Sequence, residues 1–121
     1  MPRILVIDDD DQVRSMLRQM LERAGHEVLD ARDGSDGLRL FRSQGADIVI
    51  TDIVMPEKEG IETIRELVHE EPGVKIIAMS GGGRIGPSAY LEVAQQIGAQ
   101  RTLVKPVERS EILRCIAELL A

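Results

Sequence analysis

Short apolar runs alternate with amphipathic stretches five times along the chain. Ile4 to Ile7 is uniformly apolar and predicts a buried strand. From Asp10 to Ala24 the apolar residues Val13, Met16, Leu17, Met20 and Leu21 recur at helical spacing, with an Asp to cap the start and Gly25 to stop it. His26 to Asp30 is a weaker strand centred on Val28 and Leu29, and Asp33 caps a helix running to about Gln44, closed by Gly45. Ile48 to Thr51 is a strongly apolar strand. Gly60 to Glu70 is helical, with Ile61, Ile64, Leu67 and Val68 on one face and Pro72-Gly73 as its stop. Val74 to Met79 is the fourth strand. A glycine-rich loop, Gly81 to Gly86, leads to a helix from about Pro87 to Ile97, closed by Gly98. Thr102 to Val104 is the fifth strand and Glu108 to Leu120 the last helix.

The strand starts lie roughly 21 to 28 residues apart, which predicts right-handed strand–helix–strand units and a parallel sheet covered by helices on both faces. The first, third and fourth strands are continuously apolar, as strands buried on both sides are. The second and fifth are shorter or more polar and are placed towards the edges. With 121 residues the chain has room for one domain, taken here as residues 1–121.

Composition narrows the chemistry. Aromatics are 2% of the chain (Phe41 and Tyr90), so the core is aliphatic. A net charge of −6 repels phosphate backbones, which argues against nucleic-acid binding. The lone Cys115 sits among Ile112, Leu113, Ile116 and Leu119 and reads as a core residue of a protein in a reducing compartment. No basic leader precedes Ile4, and no apolar run nears the roughly 18 residues a membrane helix needs, so a cytoplasmic location is expected.

In open α/β sheets, chemistry collects beyond the carboxyl ends of the strands. The first strand is followed by Asp8, Asp9, Asp10 and Asp11; the third by Asp52; the fourth by Ser80; the fifth by Lys105-Pro106. Carboxylates close together repel one another unless a cation intervenes. Two or three of them beside free water positions suit Mg2+, and the absence of cysteine or a nearby histidine argues against zinc. A carboxylate can attack a phosphoryl donor to give an acyl phosphate, with a lysine to clamp a phosphoryl oxygen. Of the three lysines (Lys58, Lys75, Lys105), one lies where that clamp is required.

Each element also has a plainer reading. Asp10 and Asp11 are suited to capping the first helix. Asp8 and Asp9 alone would pass as solvated turn residues, and Ser80 as a turn hydroxyl. Gly81, Gly83 and Gly86 match the spacing of a dinucleotide loop, but no acid follows about 20 residues on and the match comes after the fourth strand rather than the first. His26 and His69 have no metal-spaced partner and read as partly exposed surface residues. The joint order of groups at the strand ends is what carries the signal.

The segments ILVIDDD (4–10), IVITDIVMPEKEG (48–60), IIAMSG (76–81) and LVKP (103–106) together resemble a response-regulator receiver domain of two-component signalling, over the whole chain and in the stand-alone, chemotaxis-regulator manner. The resemblance implies a flavodoxin-like (βα)5 fold, a doubly wound five-stranded parallel sheet in the order 2-1-3-4-5. It implies Asp52 as the phosphoacceptor, Asp8 and Asp9 as the acidic pair that holds Mg2+, and the carbonyl of Val54 as a main-chain metal ligand. Ser80 would be the switch hydroxyl and Lys105 the phosphate-binding lysine, with the Lys105-Pro106 bond cis. Its implied partners are a sensor histidine kinase or a histidine phosphotransfer protein, and a downstream protein docking on the face of the fourth helix, fifth strand and fifth helix; nucleic acid and membrane are not implied. It would catalyse only its own phosphorylation and slow dephosphorylation.

Two features depart from the pattern: Thr102, and the segment from Ser80 to Pro87, which is longer and richer in glycine than is usual. Thr102 stands where the family often has an aromatic, so ordering of the loop at 81–86 is expected to replace the aromatic swing. Val54 and Gly82 offer no side chain to orient an attacking water, so self-dephosphorylation is expected to be slow. Two alternatives stay open: a haloacid-dehalogenase-like phosphatase using Asp8 and Asp10, although Gln12 stands where a Thr or Ser is wanted, and a receiver-like binding module that works without phosphorylation.

Overall fold

The structure, a computed structural model, describes residues 2–53, 60–81 and 87–121, with the backbone alone for 87–90. Five strands and five helices alternate: β1 (Arg3–Ile7), α1 (Asp11–Arg23), β2 (Glu27–Ala31), α2 (Gly34–Gln44), β3 (Ile48–Asp52), α3 (Gly60–Glu70), β4 (Lys75–Ser80), α4 (Pro87–Ile97), β5 (Arg101–Val104) and α5 (Arg109–Leu120). The strands form one parallel sheet in the order β2-β1-β3-β4-β5. The two strands with the weakest apolar patterns are the edges, where a side chain meets solvent at less cost.

Alternation along each strand divides the core between the two faces of the sheet. Leu5, Ile7, Val49, Ile76 and Ala78 pack with Leu38 of α2, Ile64 and Leu67 of α3, and Leu91 and Ala94 of α4. Ile4, Val6, Ile48, Ile50, Ile77 and Met79 point the other way, onto Leu17 and Leu21 of α1 and Ile112, Cys115 and Ile116 of α5. Gly37 brings α2 down on β1, since a Cβ there would run into the side chain of Ile7. Gly45 closes α2 at φ +73, a conformation glycine adopts without steric cost. None of the described helices is long and apolar enough to cross a membrane.

The chain runs outward from β1 to β2, then crosses back to β3 on the other side of β1. The reversal opens a crevice beyond the carboxyl ends of β1 and β3, the place where open α/β sheets hold ligands. Ile7 is in register with Thr51, so Asp8 and Asp52 leave the sheet side by side.

Candidate phosphorylation site

Four strand ends converge at this crevice. Asp8 follows β1 with its amide donating to the Ala31 carbonyl at 3.1 Å, and it is fully buried. Asp52 is the last residue of β3 and 5% exposed, while Asp9 is exposed. Carboxylate oxygens of Asp8, Asp9 and Asp52 all lie within 4.8 Å of one another. Ser80 ends β4, one residue beyond the Met79 that pairs with Asp52. Its carbonyl accepts the Lys105 amide at 3.0 Å, which fixes where the lysine leaves β5.

The Lys105 ammonium lies 2.8 Å from Asp8 Oδ2 and 3.3 Å from Asp52 Oδ2. The first contact is a close ion pair between a fully buried carboxylate and a largely buried ammonium. Burial pulls the ammonium pKa down and is the largest single influence. The contacts with Asp8 and Asp52 together outweigh it, and the net displacement is upward. The lysine stem reaches the carboxylates because Gly81 has no side chain: a Cβ there would come within 2.6 Å of Lys105 Cβ. Gly60 does the same for the β3 end, where a Cβ would collide with the Asp52 carbonyl oxygen and Ile53 Cα.

Two observations bear on what the crevice is built to hold. Three carboxylates face one ammonium, an excess of negative charge with two of the acids buried. The Ser80 hydroxyl is fully buried with no hydrogen-bond partner among the described residues, at a cost of about 1–3 kcal/mol if nothing ever meets it. An oxygen-only donor set with a charge deficit fits a hard divalent cation such as Mg2+, and a buried hydroxyl beside it fits a ligand oxygen.

Asp8, Asp9, Asp52 and Lys105 thus come together, with Ser80 on the neighbouring strand end. Val54 and residues 82–86 lie outside the described residues, and with them the main-chain metal ligand and the loop-ordering expectation. Asp10 takes the plainer of its two readings: its carboxylate accepts from the amides of Gln12 and Val13 as the N-cap of α1. The Asp8-x-Asp10 pair that the phosphatase alternative requires is therefore not formed. The Lys105-Pro106 bond is cis. Pattern reading missed Arg14, whose guanidinium donates to the Asp8 carbonyl, and the close approaches at Gly60 and Gly81.

The family model described as response regulator receiver domain matches residues 4–117. The chain belongs to the response regulator receiver family. It is a receiver domain of two-component signalling, with the acidic cluster at the switch point of the sheet. The chemotaxis protein CheY of Treponema pallidum is 34% identical over 121 residues, spanning 98% of this chain and 82% of that protein. A receiver domain protein from Clostridium thermocellum superposes with a TM-score of 0.91 at 32% identity, covering 99% and 94% of the two chains. The response regulator TrrA of Thermotoga maritima, solved in complex with Mg2+-BeF, superposes at 0.87 with 29% identity, covering 98% and 99%. Receiver domains are signalling modules, and neither alternative reading is favoured.

Proposed function

We propose that residues 1–121 act as one cytoplasmic receiver unit that takes a phosphoryl group onto Asp52 from a phosphohistidine of a sensor kinase or phosphotransfer protein. The observation that carries this reading is the placement of the Lys105 ammonium against Asp8 and Asp52, within a cluster of carboxylates that share one small space. An Oδ atom of Asp52 attacks phosphorus; the O–P bond forms as the P–N bond breaks, and the leaving imidazole keeps the bonding pair. Lys105 turns from the carboxylates to hold a phosphoryl oxygen, and the Ser80 hydroxyl gains the acceptor it lacks.

Asp8, Asp9 and Asp52 are the residues that would hold Mg2+, with the Val54 carbonyl as the expected fourth group. When bound, the ion would offset the negative charge of the transferring group. The relative solved with Mg2+-BeF supports this choice of ion.

Engagement of Ser80 shifts the balance between two conformations and alters partner binding on the face of α4, β5 and α5, where Val93 and Val104 stand exposed. Self-catalysed phosphorylation and slow dephosphorylation are the only reactions assigned to the chain, and neither nucleic acid nor membrane is a partner. The test is incubation with acetyl phosphate and Mg2+ followed by intact mass. Wild type gains one phosphoryl group and Asp52→Ala gains none; a gain that survives Asp52→Ala removes the assignment.

A further inference from the structure

Arg14 in α1 makes three contacts, two of which tie the helix to the end of β1 and to β2. Nη1 donates to the Asp8 carbonyl at 2.8 Å, Nη2 pairs with Asp11, and Nε faces Asp30 Oδ1 at 3.5 Å. The side chain is 17% exposed, far less than a surface arginine with one partner. Asp30 is itself fixed by a second arginine, Arg18, and lies in register with Val6, two residues before Asp8.

We infer that Arg14 is a positioning residue for the acidic pair, acting through the peptide bond that joins Asp8 to Asp9. The carbonyl it holds belongs to that peptide, so fixing it fixes the backbone torsions on either side. The Asp8 side chain is held by Lys105 on Oδ2 and by the Asp10 amide on Oδ1 at 2.9 Å, and its own amide is held by Ala31, which leaves its carbonyl to Arg14. Asp9 is exposed, and among the described residues no hydrogen bond or ion pair of its own side chain orients it. Its direction into the crevice then follows from the plane of the preceding peptide. A planar fork spreads its donors over three nitrogens and meets the carbonyl and both carboxylates from separate atoms, whereas a lysine carries all its donors on one nitrogen.

This rests on the reading of Asp8 and Asp9 as the Mg2+-holding pair, and the sign of the effect separates positioning from simple electrostatics. Removing a nearby positive charge makes the site more negative and strengthens cation binding. Losing the position of Asp9 weakens it. Calorimetric titration with Mg2+ alone, on the unphosphorylated protein, reads the difference. Arg14→Lys and Arg14→Gln are each expected to bind Mg2+ roughly tenfold more weakly, as supporting groups behind ligands do. Arg18→Gln loses the same charge and the same Asp30 partner but does not touch Asp8, and it is expected to bind as wild type does or more tightly.

Amide exchange without metal is the second readout: the Asp10 amide, which reports the turn, exchanges faster in both Arg14 variants while the amides of β3 do not change. Arg14→Lys keeps the charge and the buried stem, so it carries the test if Arg14→Gln unfolds. Wild-type affinity in Arg14→Lys, or an equal loss in Arg18→Gln, overturns the inference. Failure of wild type to bind Mg2+ would remove the metal reading, and the Asp10 exchange rate would then decide the positioning role by itself.

Discussion

Lys105 carries one positive charge between two carboxylates that are almost wholly buried. Taking away one partner of a buried pair leaves the other charge uncompensated, which typically costs several kcal/mol. Lys105→Met, which keeps the length of the stem, is expected to lower unfolding stability in metal-free buffer by about 3 kcal/mol, measured with urea. The pH dependence has a definite sign. Burial lowers the lysine pKa, the contacts with Asp8 and Asp52 more than reverse it, and the folded value ends above the unfolded one. A raised value means that the contribution is complete below the unfolded lysine value of about 10.4 and is lost only as pH climbs through the folded value. The stability gap between wild type and Lys105→Met is therefore flat from neutral pH to about 9 and narrows only above about 10.5. A gap that closed near pH 8 would show that the ion pair is not what the variant removes. The groups in this cluster were legible in the sequence because each lies at or just beyond the end of a strand, and strands are visible as apolar runs. The role of Arg14 was not legible, because the contact that reaches the site is to the Asp8 carbonyl, and a main-chain acceptor leaves no mark on residue type.

The elements themselves were read within a residue or two, and the misplacements have a common cause. The sequence pattern begins the fifth strand at Thr102 and the fourth at Val74, whereas β5 begins at Arg101 and β4 at Lys75. Apolar periodicity reports where side chains are buried, while strand ends are set by pairing: Arg101 pairs with Ile77 and Lys75 with Ile48. The same blindness applies to Gly60, which the sequence marks only as a helix start. Its second role is to let α3 begin against the backbone of β3, where its amide donates to the Ile53 carbonyl at 3.2 Å. At an ordinary helix position, Gly→Ala stabilises by about 0.4–1 kcal/mol through the unfolded chain. Here the added carbon would meet the Asp52 carbonyl and Ile53 Cα, backbone atoms that cannot rotate away. Sterics win, and Gly60→Ala is expected to destabilise by about 1–3 kcal/mol. It should also slow acetyl-phosphate labelling of Asp52, because the displaced backbone carries that carboxylate. Thermal unfolding beside labelling rate checks both, and a variant as stable as wild type would show that α3 shifts freely at its start.

At the scale of the whole molecule, alternation alone predicted a parallel sheet and its edge strands, but the full strand order came from resemblance. Local sequence records each strand's burial and says little about which neighbour it chooses. That order is what concentrates charge at one rim, and it sets the fold's response to metal. Three carboxylates against one ammonium repel in the folded state and separate on unfolding, so the metal-free domain gives up stability at this site. A cation that binds only the folded form returns it by mass action, about 2.7 kcal/mol at a hundredfold excess over Kd. For a domain of this size that is a rise in Tm of several degrees. Asp9→Asn should act in opposite directions in the two conditions. In chelator the variant loses one repelling charge and unfolds slightly above wild type, by less than about 1 kcal/mol because Asp9 is exposed, and added salt erases the difference. In Mg2+ it lacks a ligand and unfolds below wild type, so the order of the two melting curves inverts between buffers. An identical Mg2+-induced rise in both proteins would mean that the cation stabilises the fold somewhere other than this rim.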